Sequence, residues 1–69
     1  MTGLATAALD ARLAALGSRG VTEPRAALAE VERAVGRRVL ADLVERDHVN
    51  RHDVRVLREA RRRLAALPH

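Results

Sequence analysis

No phenylalanine, tyrosine, tryptophan or cysteine occurs among the 69 residues of this chain. Aromatic side chains bury the most area each, so any core must be assembled from leucine, valine and alanine. A chain this short buries only about 60% of the surface its unfolded form exposes. Without cysteine, neither a disulfide nor a thiolate zinc site can staple it. Small domains so placed gain stability by oligomerising or by packing on a larger partner. The expectation is therefore a homodimer or higher oligomer.

Alanine, leucine and arginine dominate, and all are strong helix formers. No period-2 alternation is long enough for a strand, and no internal repeat is present. Gly17-Ser18-Arg19-Gly20 is one break, Asp47-His48-Val49-Asn50 a second, and Pro68 ends the last segment. The chain reads as all-α, with three helices in a short–long–medium order over about residues 4–16, 23–46 and 51–67. In the first, Leu9, Leu13 and Leu16 share a face, and Gly17 is the expected stop. In the second, Thr22 is the expected N-cap and Pro24 lies in the first turn, where its missing N–H is harmless. Its apolar stripe is Leu28, Val31, Val35, Val39 and Leu43, widened late by Leu40 and Val44, with Glu30, Arg33 and Arg37 opposite. Gly36 at its midpoint costs about 1 kcal/mol against alanine. It is either a tolerated defect or the place of a close helix crossing. In the third, Asn50 is the expected N-cap and the stripe is Val54, Leu57, Ala60 (or Arg61), Leu64 and Leu67. Arg55–Glu59 and Glu59–Arg63 stand at ion-pair spacing.

Enzyme chemistry finds no constellation here. Ser18 has no histidine or acid marking it as a nucleophile, and Gly17-Ser18-Arg19-Gly20 lacks the Lys-Ser/Thr ending of a phosphate loop. Glu30, Glu32, Asp42 and Glu45 read as solvated helix positions rather than a general acid–base pair. His48 and His52 are four apart, but they straddle a helix start and lack a third ligand, so no metal and no cofactor is expected. No apolar run approaches the roughly 20 residues a membrane span needs. Residues 4–16 are interrupted by Asp10 and Arg12 and lack the charged leader of a secretion signal. The expected location is the cytoplasm.

The net charge of +4 is unevenly spread. Residues 1–50 carry seven arginines against seven acids, whereas residues 51–69 carry six arginines against Asp53 and Glu59. All basic residues are arginine, the better fork for phosphate, although a GC-rich genome yields the same bias. The asymmetry fits a polyanion partner, and a solvated helix end accounts for it as well. With no aromatic ring, base stacking is excluded. Nucleic-acid contact would be phosphate contact, largely blind to sequence.

Three local features carry a resemblance. Arg19-Gly20-Val21-Thr22 precedes the long helix as arginine, a β-branched residue and Ser/Thr do in the first histone loop. Val49-Asn50-Arg51-His52-Asp53-Val54 is similar to the second loop and the start of the third helix. Arg46 stands seven residues before Asp53, as the arginine and aspartate of the histone loop clamp do. The chain thus resembles the histone-fold family, the small archaeal and bacterial histone-like proteins, over nearly its whole length. It departs from them in a long helix one to two turns shorter, and in Asp47-His48 where a Lys-Thr pair commonly meets phosphate. It also carries its strongest charge on the third helix, whereas that fold's DNA contacts come mostly from the loops and first helix.

The resemblance implies a handshake dimer crossing near Gly36, with Leu28, Val31, Val35, Gly36, Val39 and Leu43 in the shared interface. It implies double-stranded DNA as partner, in a nucleoid-associated, architectural role. Arg12, Arg19, Thr22 and Arg51 would then contact DNA, with the helix N-termini at Thr22 and Asn50 offering N–H groups to phosphates, and Arg46–Asp53 would be a structural clamp. The alternative is a generic three-helix bundle or helical hairpin. It would serve as a protein–protein module, antitoxin-like or an accessory subunit, packing on a larger protein.

Overall fold

The computed structural model describes residues 3–68. They form α1 (Gly3–Ser18), α2 (Pro24–Arg46) and α3 (Arg51–Ala66), with no strand among the described residues. The order is long-centred as expected, but α1 and α3 are equal at 16 residues each, against 23 for α2. None of these helices is long and apolar enough to cross a membrane.

The start of α1 lies one residue earlier than expected and its end two residues later, because Gly17 does not stop it. The left-handed residue is Gly20, at φ +91°. Val21 N–H reaches back to Leu16 O and Gly20 N–H to Gly17 O, both at 3.0 Å. These two bonds satisfy the last carbonyls of the helix. They also carry Val21 back onto the core beside Leu16, and that contact selects Gly20 over Gly17.

Thr22 does not cap α2. Glu23 occupies the cap position, with extended backbone and no side-chain bond to the helix, and Pro24 opens the first turn. Asp47 closes α2 in the left-handed conformation, and its N–H bonds Leu43 O. Asn50 caps α3 as expected, its Oδ1 accepting from the N–H groups of His52 and Asp53.

The three helices close on one another. The last turns of α3 lie beside the start of α2, where Arg25 donates to the carbonyl of Pro68 at 2.9 Å. The core is Leu9 and Leu16 from α1, Ala27, Leu28, Val31 and Val35 from α2, and Val56, Leu57 and Ala60 from α3. Leu13, Val39, Leu64 and Leu67 pack half-buried around it. On α3 the stripe is rotated from expectation. Val56, absent from it, is fully buried, while Val54 is only half-buried.

This closure bears on the residues of the expected dimer interface. Leu28, Val31 and Val35 are 1–5% exposed within the single chain, where they share one core with residues of α1 and α3. Val39 is half-buried against the same core. Of the named set, Leu43 and Gly36 remain toward the outside, Leu43 at 44% exposure and Gly36 with open space where a Cβ would lie. The late widening of the stripe also lies outside the core, since Leu40 and Val44 are exposed.

Candidate nucleic-acid interface

One buried charge joins all three helices. Asp53, 3% exposed, sits in the first turn of α3. Its carboxylate is 3.7 Å from Arg12 of α1 and 3.4 Å from Arg38 of α2. An acid in the first turn also complements the helix dipole. The expected clamp is thereby corrected. Arg46 is largely exposed and pairs with Asp42, one turn back on its own helix, at 4.0 Å. Arg38 takes Asp53 because it lies on the side of α2 that meets α1 and α3, whereas Arg46 projects past the end of the core.

The run Arg61-Arg62-Arg63 is likewise spent within the chain. Successive helix positions are about 100° apart, so three consecutive arginines fan out to three different elements. Arg61 meets Glu32 of α2 at 3.4 Å, Arg62 meets Glu59 of α3, and Arg63 bonds both Glu59, at 3.1 Å, and Asp10 of α1, at 2.6 Å. Glu59 therefore pairs with Arg62 and Arg63, not with Arg55. The hydrogen bond from Arg62 holds its carboxyl below the ordinary value of 4.5; burial opposes it, and the weaker hydrogen bond from Arg63 adds to the lowering.

A carboxyl with a lowered folded-state pKa stabilises the fold above its unfolded value, and that contribution is lost as pH falls through the lowered one. Glu59→Gln should therefore melt slightly below the parent near neutral pH. The gap should close as pH falls through the lowered value, where both carry a neutral side chain. Parallel thermal melts followed by helical circular dichroism measure it. A gap that persists in acid would mean that charge is not what Glu59 contributes.

What remains is a cationic face on the first half of α3. Arg51, Arg55 and Arg58 are exposed and make no ion pair among the described residues. At i, i+4 and i+7 they lie on one side of the helix, over about 10 Å of its axis. With Val49 and Val54 they line a shallow cleft. Of these three, only Arg51 belonged to the expected DNA-binding set.

The other expected contacts do not join it. Arg12 is drawn to Asp53 and is 30% exposed, so it is a packing arginine. Arg19 and Thr22 are exposed in the α1–α2 loop, at the opposite end of α2 from Arg51. A helix of 23 residues separates the two loops by roughly 34 Å. The start of α3 offers little to a phosphate, because Asn50 already takes two of its N–H groups and the Asp53 carboxylate occupies its first turn. His48 and His52 are exposed, and no three His, Asp or Glu side chains gather as a metal would require among the described residues.

Comparison with protein-family models, with curated proteins and with solved structures finds no match to this chain.

Proposed function

We propose that this chain is a small, non-enzymatic binder of duplex DNA, of the architectural, nucleoid-associated kind, that grips the phosphate backbone with the arginine face of α3. One observation carries the reading. Most other arginines outside the loops are engaged with the chain's own acids, while Arg51, Arg55 and Arg58 stand together without an ion pair among the described residues. Phosphate contact of this kind is sequence-blind and electrostatic, and it weakens steeply with salt. Kinship with histone-like proteins is supported by the long central helix and the two loop motifs. The proposal itself rests on the arginine face.

A labelled duplex of about 30 base pairs, titrated at several salt concentrations from about 50 to 200 mM, tests it. The variant Arg51→Gln/Arg55→Gln/Arg58→Gln should bind more weakly at every salt. The slope of log affinity against log salt should fall by about 0.9 for each phosphate contact removed. No retardation at about 50 mM salt, or retardation that ignores salt, would reject the reading.

The competing reading is a module that docks on another protein. The exposed Leu40, Leu43 and Val44 favour it, and it requires the triple arginine variant to behave like the parent.

A further inference from the structure

The outward face of α2 has a pattern that the bundle does not use. Ala26, Ala29, Arg33, Gly36, Leu40 and Leu43 follow one another at alternating steps of three and four, the spacing of a two-helix seam. None of the six belongs to the buried core. Leu40 is 60% and Leu43 44% exposed, and Val44 beside them 77%. The seam is graded in size. Its first half carries alanines, which floor a shallow groove edged by Val21 and Arg33. Its second half carries the leucines. Gly36 lies between, with nothing within 4 Å of the place a Cβ would take.

We infer that this face pairs with the same face of a second copy, antiparallel, across a two-fold axis between Arg33 and Gly36. In that register Leu40 faces Ala29 of the other copy and Leu43 faces Ala26, so each large side chain meets a small one. The stem of Arg33 lies over Gly36 of the other copy, where the space is open. Charge agrees with size. Glu30 and Arg37 flank the seam on the same side and form no ion pair among the described residues. The antiparallel register sets Glu30 of each copy against Arg37 of the other, forming two symmetric pairs. A parallel register would instead stack Arg33 on Arg33 and leave alanine opposite alanine with a gap between. The face is thus complementary to itself, as a two-fold interface must be. It involves none of Leu28, Val31 and Val35, and it stands apart from the duplex reading.

Sedimentation velocity on the full chain from about 1 to about 200 μM measures the dimer directly. The parent should shift from monomer to dimer across that range. Leu40→Glu/Leu43→Glu, with unchanged helical circular dichroism, should weaken pairing on the order of 100-fold or more, because each carboxylate would have to be desolvated against alanine. Glu30→Arg alone and Arg37→Glu alone should each weaken it about tenfold by setting like charges opposite. The combined Glu30→Arg/Arg37→Glu chain should recover the parent's dimer to within about threefold. These two positions lie off the core, so the swap decides the matter even if the double leucine variant fails to fold. A parent that stays monomeric, a dimer indifferent to the leucine changes, or a charge swap that does not recover would each overturn the pairing. So would a monomer whose leucine face is instead occupied by an unrelated protein.

Discussion

Asp53→Ala is expected to lower stability by about 2 kcal/mol, a fall in melting temperature of about 10 °C for a domain of this size. Removing one partner of a fully buried ion pair costs about 3–5 kcal/mol. Here the acid is 3% exposed but its partners Arg12 and Arg38 are not deeply buried, so water screens part of the loss. The first turn of α3 also loses a favourable interaction with its dipole, about 0.3–1 kcal/mol. One Arg12 nitrogen, Nη1, already lies buried without a partner, and without Asp53 that guanidinium would also lose its nearest opposite charge. Arg46→Ala should stay within about 0.5 kcal/mol of the parent, because its pair with Asp42 is at the surface. The Arg46→Ala/Asp53→Ala chain should lose the sum of the two. Equal losses for the single variants, with a double variant that loses less than their sum, would restore the Arg46–Asp53 clamp and remove the three-helix junction.

Leu9→Ala should have the largest effect of any single truncation, about 3 kcal/mol within the 2–5 kcal/mol span of buried leucines. Leu9 is fully buried. It is one of only two residues by which α1 enters the core, and the core has no aromatic ring that could repack into the gap. A chain of this length has a total stability of roughly 3–10 kcal/mol on the usual per-residue scale. The variant would therefore populate unfolded states at moderate temperature. Urea melts should show a lower midpoint with an unchanged slope. Leu13→Ala, one turn along but half-buried, should lose well under half as much. Equal losses at Leu9 and Leu13 would mean that α1 is not seated as described.

The three helices were legible in the sequence because their signals are local. Asn50 before Arg51-His52-Asp53 caps α3 by bonds two and three residues long, and Pro24 opens α2 by its fixed φ. The Leu9–Leu13–Leu16 face survived for the same reason. What failed depended on what lies across a helix. Gly17 and Gly20 are equally able to end α1, and only Val21 finding the core decides between them. Asp53 has Arg46 at a suggestive distance along the chain, yet the nearer arginines in space come from α1 and α2. The arginine excess was legible as a total. Its division into engaged Arg61, Arg62 and Arg63 and unengaged Arg51, Arg55 and Arg58 was not, because that depends on which acids the neighbouring helices bring. Leu40, Leu43 and Val44 widen the α2 stripe on paper, but Leu40 and Leu43 lie on the face of α2 turned away from α1 and α3, and all three stand exposed.

The face formed by Arg51, Arg55 and Arg58 has one further property. A guanidinium stays protonated at any pH at which such a bundle persists, and the chain has no lysine whose ammonium acetylation could neutralise. Neither acidity nor acylation can therefore dim this field. Dissolved ions alone set its reach, about 8 Å at physiological ionic strength and about 30 Å in dilute buffer.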